Sequence, residues 1–316
     1  MQQPDCREVP HALGTTQVCG TPTKVVVLGD HSLDLLLSLG QQPAGFGSTI
    51  AFHQGEVFDQ PEEQIPYLGQ FVTTQPVNVG SGSQPSLEIL AQLQPDLIVG
   101  EVGPNRENYG LLSQIAPTML WDVRTYRGRW QQNFRALAQA LGEEQNAEAA
   151  IAKAEQRMAE TRRALTPIVG NQPTALLLGA HRLGSGDIFV ITPNSFLGEL
   201  MDGLGFELIA PASTTNSIPL SLEALPELGD VDYVFVLGYD RAAKAPDPDQ
   251  VLQQQTSGIQ QDWTTNAIAQ SLSASKADQV YFSTYLLWNG LNGPIGIDLI
   301  LDELQQWLLP DVAGPN

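Results

Sequence analysis

The sequence predicts an α/β protein: two parallel-sheet, Rossmann-like lobes joined by a single long α-helix. Three observations carry that expectation. Short β-branched or leucine-rich runs alternate with short helical patterns, the order that builds parallel sheets. The stretch 143–166 keeps a helical apolar stripe for ~35 Å at 1.5 Å per residue, long for a helix inside a small lobe and suited to a strut. One segment is also written twice: "PSLEILAQLQPDLIVG" at 85–100 returns as "PLSLEALPELGDVDYVFVLG" at 219–238, each with Ser-Leu-Glu, leucines at three-residue steps, an Asp, an apolar run and a Gly.

The elements follow in order. "KVVVLGDHSLDLLLSLG" (24–40) reads as strand, glycine turn and helix, and "QPAGFG" as the next strand. The first copy of the repeat gives helix 85–93 and strand 96–100, and "LLSQIAPTMLWD" another helix and strand. "RWQQNFRALAQALG" is a helix ended by Gly142. In the long stripe, acids lead and Arg162–Arg163 lie near the end, as the helix dipole prefers. Beyond it the pattern restarts with strands "PTALLLGAH" and "GDIFVI", helix "NSFLGELMDGLG", the second repeat and strand "QVYFST". "PIGIDLILDELQQWL" closes the chain as a helix with Pro294 in its first turn. The expected domains are an N-terminal lobe over 1–142, whose first 23 residues form a terminal segment, an interlobe helix over 143–169 and a C-terminal lobe over 170–316.

Composition narrows the function. A chain of 316 residues exceeds one comfortable core, and 42% hydrophobic residues suffice for packed lobes. No apolar run approaches the ~20 residues of a membrane helix. A net charge of −20 leaves no basic excess for nucleic acid.

Cys6 and Cys19 bracket "CREVPHALGTTQVC", outside any strong helical or strand pattern. A disulfide would close a short terminal loop and hold a segment that otherwise frays; two unrelated thiols is the other reading. An even count in an exported chain favours pairing. The opening "MQQPDCREVP" has neither the basic start nor the apolar stretch of an export signal. The expectation is a mature form with Met in place of that signal.

These residues resemble the periplasmic binding proteins of ABC importers for ferric siderophores and cobalamin, the helical-backbone class III. The resemblance covers nearly the whole chain: the first strand–helix unit, "VGSGSQPSLEILAQLQPDLIVG", "LLSQIAPTMLWD" and "NAIAQSLSASKADQVYF" match in order, through to the terminal "GPIGIDLILDEL". It implies capture of a ferric siderophore, hydroxamate or citrate type, between the lobes and delivery to an ABC permease in the inner membrane. It implies a monomer in the periplasm, with a lipid anchor on the native precursor as an open alternative, no catalysis, no cofactor and no nucleic-acid partner. Cobalamin or haem remain as ligands of the same class.

In this family a surface glutamate of each lobe docks on permease arginines, and Glu88 and Glu223 occupy the matching places of the two repeats. The competing reading is an ordinary first-turn acid behind the caps Ser86 and Ser221. For the ligand, Arg124, Tyr126, Arg127, Arg129 and Trp130 crowd into "DVRTYRGRW", leaving the C-terminal edge of a strand, where open α/β folds bind ligands. Arginines suit carboxylate or hydroxamate oxygens around ferric iron, and aromatics add area and cation–π contact. A solvated surface loop is the alternative. Trp288, with Asn289 and Tyr285, is expected as a second wall, and His181, Arg182 and Tyr239 follow strands of the second lobe. Trp121 and Trp263 read as packing residues. Ser81 and Ser83, beside backbone amides at a helix start, offer an anion site. Gly82 stands where hydroxamate-binding relatives often carry an Arg. A bare-metal site is disfavoured by only four histidines, with His31 read as a capping or turn residue. Against an enzyme, the chain has no G-x-S-x-G, no phosphate loop with Lys and no H-E-x-x-H.

Overall fold

Alternation of exposed and inward residues in CREVPH and GTTQVC makes a hairpin, β1 (Cys6–His11) and β2 (Gly14–Cys19), where the sequence suggested a loop. Val9 and Val18 are its buried side chains. Cys6 and Cys19 are cross-strand partners joined by a disulfide. The structure, a computed structural model, describes residues 5–50, 53–123, 127–170, 172–186, 188–240 and 248–309.

The N-terminal sheet is formed by β3 (Val25–Leu28), β4 (Gly45–Ser48), β5 (Val77–Ser81), β6 (Gln84–Pro85), β7 (Leu97–Glu101) and β8 (Thr118–Trp121), in the order β6-β5-β4-β3-β7-β8. All pairs are parallel except β5–β6. The runs VVVL and LIVGE are buried along their length because helices cover both faces of a parallel sheet. The hairpin lies on the edge strand β8: Ala12 N donates to Leu120 O at 3.0 Å and Thr16 Oγ1 to Thr118 O at 2.7 Å. An exposed edge is thereby covered.

The C-terminal sheet departs from the parallel expectation. Its strands are β9 (Thr174–Ala180), β10 (Ile188–Ile191), β11 (Glu207–Leu208), β12 (Ser217–Leu220), β13 (Tyr233–Gly238) and β14 (Val280–Thr284), in the order β12-β10-β9-β13-β14, with β11 also on β9. β9, β13 and β14 are parallel; β10 is antiparallel to both β9 and β12. The link from β9 to β10 is too short for the crossover that parallel pairing needs.

Between the sheets runs the helix Glu144–Val169, 26 residues and about 39 Å long. It buries Ala147, Ile151, Ala154, Thr161 and Leu165. These meet the helix Arg129–Leu141 before it, the helix Phe196–Leu204 after it and the terminal helix Pro294–Leu308. One hydrophobic cluster consequently includes Val27, Leu36 and Phe134 together with Leu177, Met201 and Phe235. The helix Pro248–Thr265, Gln-rich and weakly periodic, was not predicted. Among the described residues no helix is long and apolar enough to cross a membrane.

The doubled segment folds in two ways. Leu87–Leu93 is an α-helix whose Ser86 hydroxyl accepts from Ile89 N at 3.3 Å. Leu222–Leu228 is a 3₁₀ helix without a side-chain cap. The leucine spacing is the same in both copies, but Pro226, where the first copy has Ala91, removes a backbone N–H inside the second turn and disfavours an α-helix there.

Candidate functional site

Parallel strands deliver their C-terminal ends to one edge of each sheet, so the glycines and polar residues ending VVVLG, FGS, VNVGS, LIVGE, TALLLGA, YVFVLG and VYFST gather there. Several contacts bring the lobes together around these edges. Tyr67 Oη, from the loop before β5, is 2.8 Å from Thr284 Oγ1 at the end of β14. Asn292 Nδ2 donates to Val123 O at 3.1 Å, just past β8. The Asp34 carboxylate, on the first helix Asp30–Ser38, accepts from Ile295 N at 3.1 Å and Gly296 N at 3.0 Å, the opening turn of the terminal helix. Burial pushes Asp34 up to about 6, against the pull of those amides and of Ser38.

The N-terminal edge is polar and acidic. Asp30 is buried and accepts from Thr49 N at 3.1 Å, with Ser48 Oγ at 3.5 Å. Burial raises its carboxyl above the usual range; the Thr49 hydrogen bonds oppose this and the Glu101 charge adds to it. Ser48 and Ser81 line a cavity of about 310 Å³ with His53, Phe58 and Asn78. His31 is fully buried in the first turn of its helix. No group of three or more His, Cys, Asp or Glu placed to hold a metal lies among the described residues.

The C-terminal edge is aromatic. Tyr239 stands 6.2 Å from His181, 6.0 Å from Phe189 and 6.0 Å from Tyr285, ring centre to ring centre. Phe189 and Tyr285 meet edge to face at 5.5 Å. His181 Nδ1 lies 2.9 Å from Tyr239 O and 3.9 Å from Asp240. Gly179 makes the cluster feasible: a Cβ there would sit 2.1 Å from the Phe189 ring. Arg182, beside this cluster, is held by Asp262 through two hydrogen bonds.

The expected site residues separate accordingly. His181 and Tyr239 come together, with Phe189 unforeseen. Arg127 is exposed and paired with Asp202 at 2.5 Å; Arg129 opens its helix and donates to Gln132 Oε1 at 3.2 Å. Arg124 and Tyr126 lie outside the described residues.

Two tryptophans are not walls. Trp130 is 3% exposed within the main core, because it begins an amphipathic helix whose apolar face packs inward. Trp288 is fully buried, stacked on Phe235 at 5.5 Å and Trp307 at 5.9 Å, with its Nε1 donating to Glu303 at 2.7 Å.

The serines also differ from expectation. Ser81 and Ser83 flank the β5–β6 turn rather than a helix start, and their hydroxyls bond each other at 2.9 Å. The adjacent amides are engaged internally: Gly82 N donates to Ser48 O and Ser83 N to Ser81 Oγ. Gly82 itself has no room for an arginine, since a Cβ would lie 2.6 Å from Gly47 O and 2.9 Å from Gly29 N.

Glu88 and Glu223 are both exposed. Sequence reasoning missed Tyr67, Asp34 and Glu199 of the Phe196–Leu204 helix. Tyr67 and Asp34 carry no local signal, and Glu199 reads as a first-turn acid behind the Ser195 cap.

A family model for periplasmic binding proteins matches residues 25–284. The chain is 26% identical to "Probable siderophore-binding lipoprotein YfiY" of Bacillus subtilis over 96% of this chain and 88% of that protein. It is also 26% identical to the Fe(3+)-citrate-binding protein YfmC of Bacillus subtilis, over 92% of this chain and 82% of that one. Among solved structures, Staphylococcus aureus SirA complexed with staphyloferrin B superposes with a TM-score of 0.74 at 25% identity, covering 95% of this chain and 97% of that one. Matched along both lobes and the helix between them, the chain belongs to the periplasmic binding protein family.

Proposed function

We propose that this protein is the substrate-binding component of an ABC importer and captures a ferric siderophore, of hydroxamate or citrate type, between its lobes. The observation that carries the reading is the extent of the likeness: relatives named for siderophore and Fe(3+)-citrate binding match across both lobes, over 92–96% of this chain. The geometry is consistent with that task. Strand ends of both lobes gather where Tyr67 meets Thr284, with a polar edge on one side and rings on the other. Arg127, with its neighbour Arg124, is the candidate for ligand oxygens, and Tyr239 and His181 for the facing wall.

Delivery follows capture. Glu88 and Glu223 present one exposed carboxylate per lobe to arginines of an inner-membrane permease, and the protein acts as a periplasmic monomer that binds rather than catalyses. Lipid anchoring, a feature named for the relative YfiY, is the alternative to a free periplasmic form.

Tryptophan fluorescence and native mass spectrometry against ferric citrate, ferric hydroxamates, cobalamin and haem test it. A 1:1 complex with one ferric siderophore is expected. Binding of cobalamin or haem alone would redirect the reading within its class. No complex with any of the four would overturn it.

A further inference from the structure

Two carboxylates of the C-terminal lobe reach across to the N-terminal lobe where the arginine-bearing segment enters its helix. Glu199 Oε2 accepts from Gly128 N at 2.5 Å, and Oε1 from Gln131 Nε2 at 3.0 Å. Asp202 Oδ2 accepts from Arg127 Nη2 at 2.5 Å. Gly128, at φ 69°, is the N-terminal flanking residue of the 13-residue helix Arg129–Leu141 and offers no side-chain cap. A helix start has unpaired N–H groups and a positive dipole end, both of which favour a carboxylate. Here the other lobe supplies it.

The holder is itself held. Glu199 lies in the first turn of Phe196–Leu204, whose Gly198 N donates to Ser195 Oγ at 2.9 Å. Leu197, Leu200, Met201 and Leu204 root that helix in the core. A backbone amide cannot follow a moving carboxylate without carrying its helix, so the Glu199 contact constrains more than a surface ion pair does. The Arg127–Asp202 pair, with side chains 44% and 66% exposed, is the weaker hold.

We propose that Glu199 is a positioning residue. It fixes Arg127–Gln131 against the C-terminal lobe, with Asp202 as a secondary hold, and so couples engagement of ligand by this segment to the arrangement of the lobes. The proposal rests on the capture reading above, because it assigns Arg127 to the ligand.

The test measures affinity and dissociation rate for ferric citrate and a ferric hydroxamate, beside amide hydrogen exchange, in wild type, Glu199→Gln, Glu199→Ala and Asp202→Ala. Glu199→Gln keeps the volume and one acceptor, so it remains informative should the alanine variant fold poorly. Loss of the hold should accelerate exchange at the Gly128 amide, the backbone donor that Glu199 engages. It should weaken binding about tenfold for Glu199→Ala, mainly through faster dissociation, and about two- to threefold for Asp202→Ala. In an Arg127→Ala background, Asp202→Ala should have no further effect. A purely structural role would lower the melting temperature but leave Gly128 exchange and affinity unchanged well below it. Wild-type affinity in both Glu199 variants, or unchanged Gly128 exchange, would overturn the proposal. Failure of the wild type to bind either complex would instead show that the capture reading is wrong, and the proposal would fall with it.

Discussion

Asp96 in the N-terminal lobe and Asp232 in the C-terminal lobe do the same work. Asp96 Oδ2 accepts from Thr23 N, Thr23 Oγ1 and Lys24 N at 2.9–3.0 Å, just before β3. Asp232 Oδ2 accepts from Thr174 N and Thr174 Oγ1, both at 2.8 Å, where β9 begins. Each lobe thus ties the start of one strand to the start of the next through the Asp of the repeated segment and a Pro-Thr pair. At the opposite ends of the same strands the lobes part company. The N-terminal edge gathers Asp30, Ser48 and Glu101, the C-terminal edge His181, Phe189, Tyr239 and Tyr285. The lobes agree at the strand starts and at the two exposed glutamates, and differ where a ligand would sit.

A second asymmetry is reciprocal. The N-terminal lobe caps a helix of the far side through Asp34, and the C-terminal lobe returns the contact through Glu199.

The sharpest break of that reciprocity is Asp34→Ala. It would strand the half-buried amide of Ile295 and the buried amide of Gly296, and should cost about 2–4 kcal/mol in denaturant unfolding. Asp34→Asn tests the charge. Because the folded carboxyl is raised from 3.8 to about 6, its contribution to stability is fully present below pH 3.8 and is lost as pH rises through about 6. Asn should flatten stability across that window, and an unchanged slope would remove Asp34 from the account.

The likeness of the outer faces is tested next. Glu88→Ala with Glu223→Ala should lower uptake in vesicles carrying the cognate permease about tenfold, more than either single change, with ligand affinity unaltered. Normal uptake by the double variant would reduce the doubled glutamate to a first-turn acid.

Asp96→Asn and Asp232→Asn compare the two strand ties directly. Each should cost about 1 kcal/mol, discounted for exposure, with Asp96 slightly ahead because it holds three donors to Asp232's two. The amide hydrogen bonds, led by Thr23 N, hold Asp96 below the usual carboxylate value of 3.8. Its contribution is therefore present above that pH and lost as pH falls, and Asn should remove this part of the acid slope.

The smallest effect expected is on dimensions. The Glu144–Val169 helix packs on both lobes, so small-angle scattering should change little on adding ligand. A large contraction would mean that the frame bends where its helix should resist.

Much of the frame was legible in the sequence for local reasons. The strands VVVL, LIVGE and YVFVLG and the long stripe after Gly142 have short-range periodicities that no tertiary contact needs to supply. The antiparallel turn of GDIFVI was not legible, because an apolar run states burial but not direction. Trp288 shows the same limit in the candidate site: sequence placed it after a strand, and only packing against Phe235 and Trp307 decided that it faces the core.

By itself, then, the sequence determined the alternation of strands and helices, the doubled segment with its exposed glutamates, and the Cys6–Cys19 pair as a disulfide candidate. Only the tertiary structure decided that Gly82 admits no side chain, that rings collect around Tyr239, and that Asp34 and Glu199 reach across the lobes. Asp34 lies 261 residues from the amide of Ile295 that it caps, and Glu199 lies 71 from that of Gly128. Local periodicity acts over a turn or a strand, whereas a cap supplied from such distances exists only once separate elements have packed.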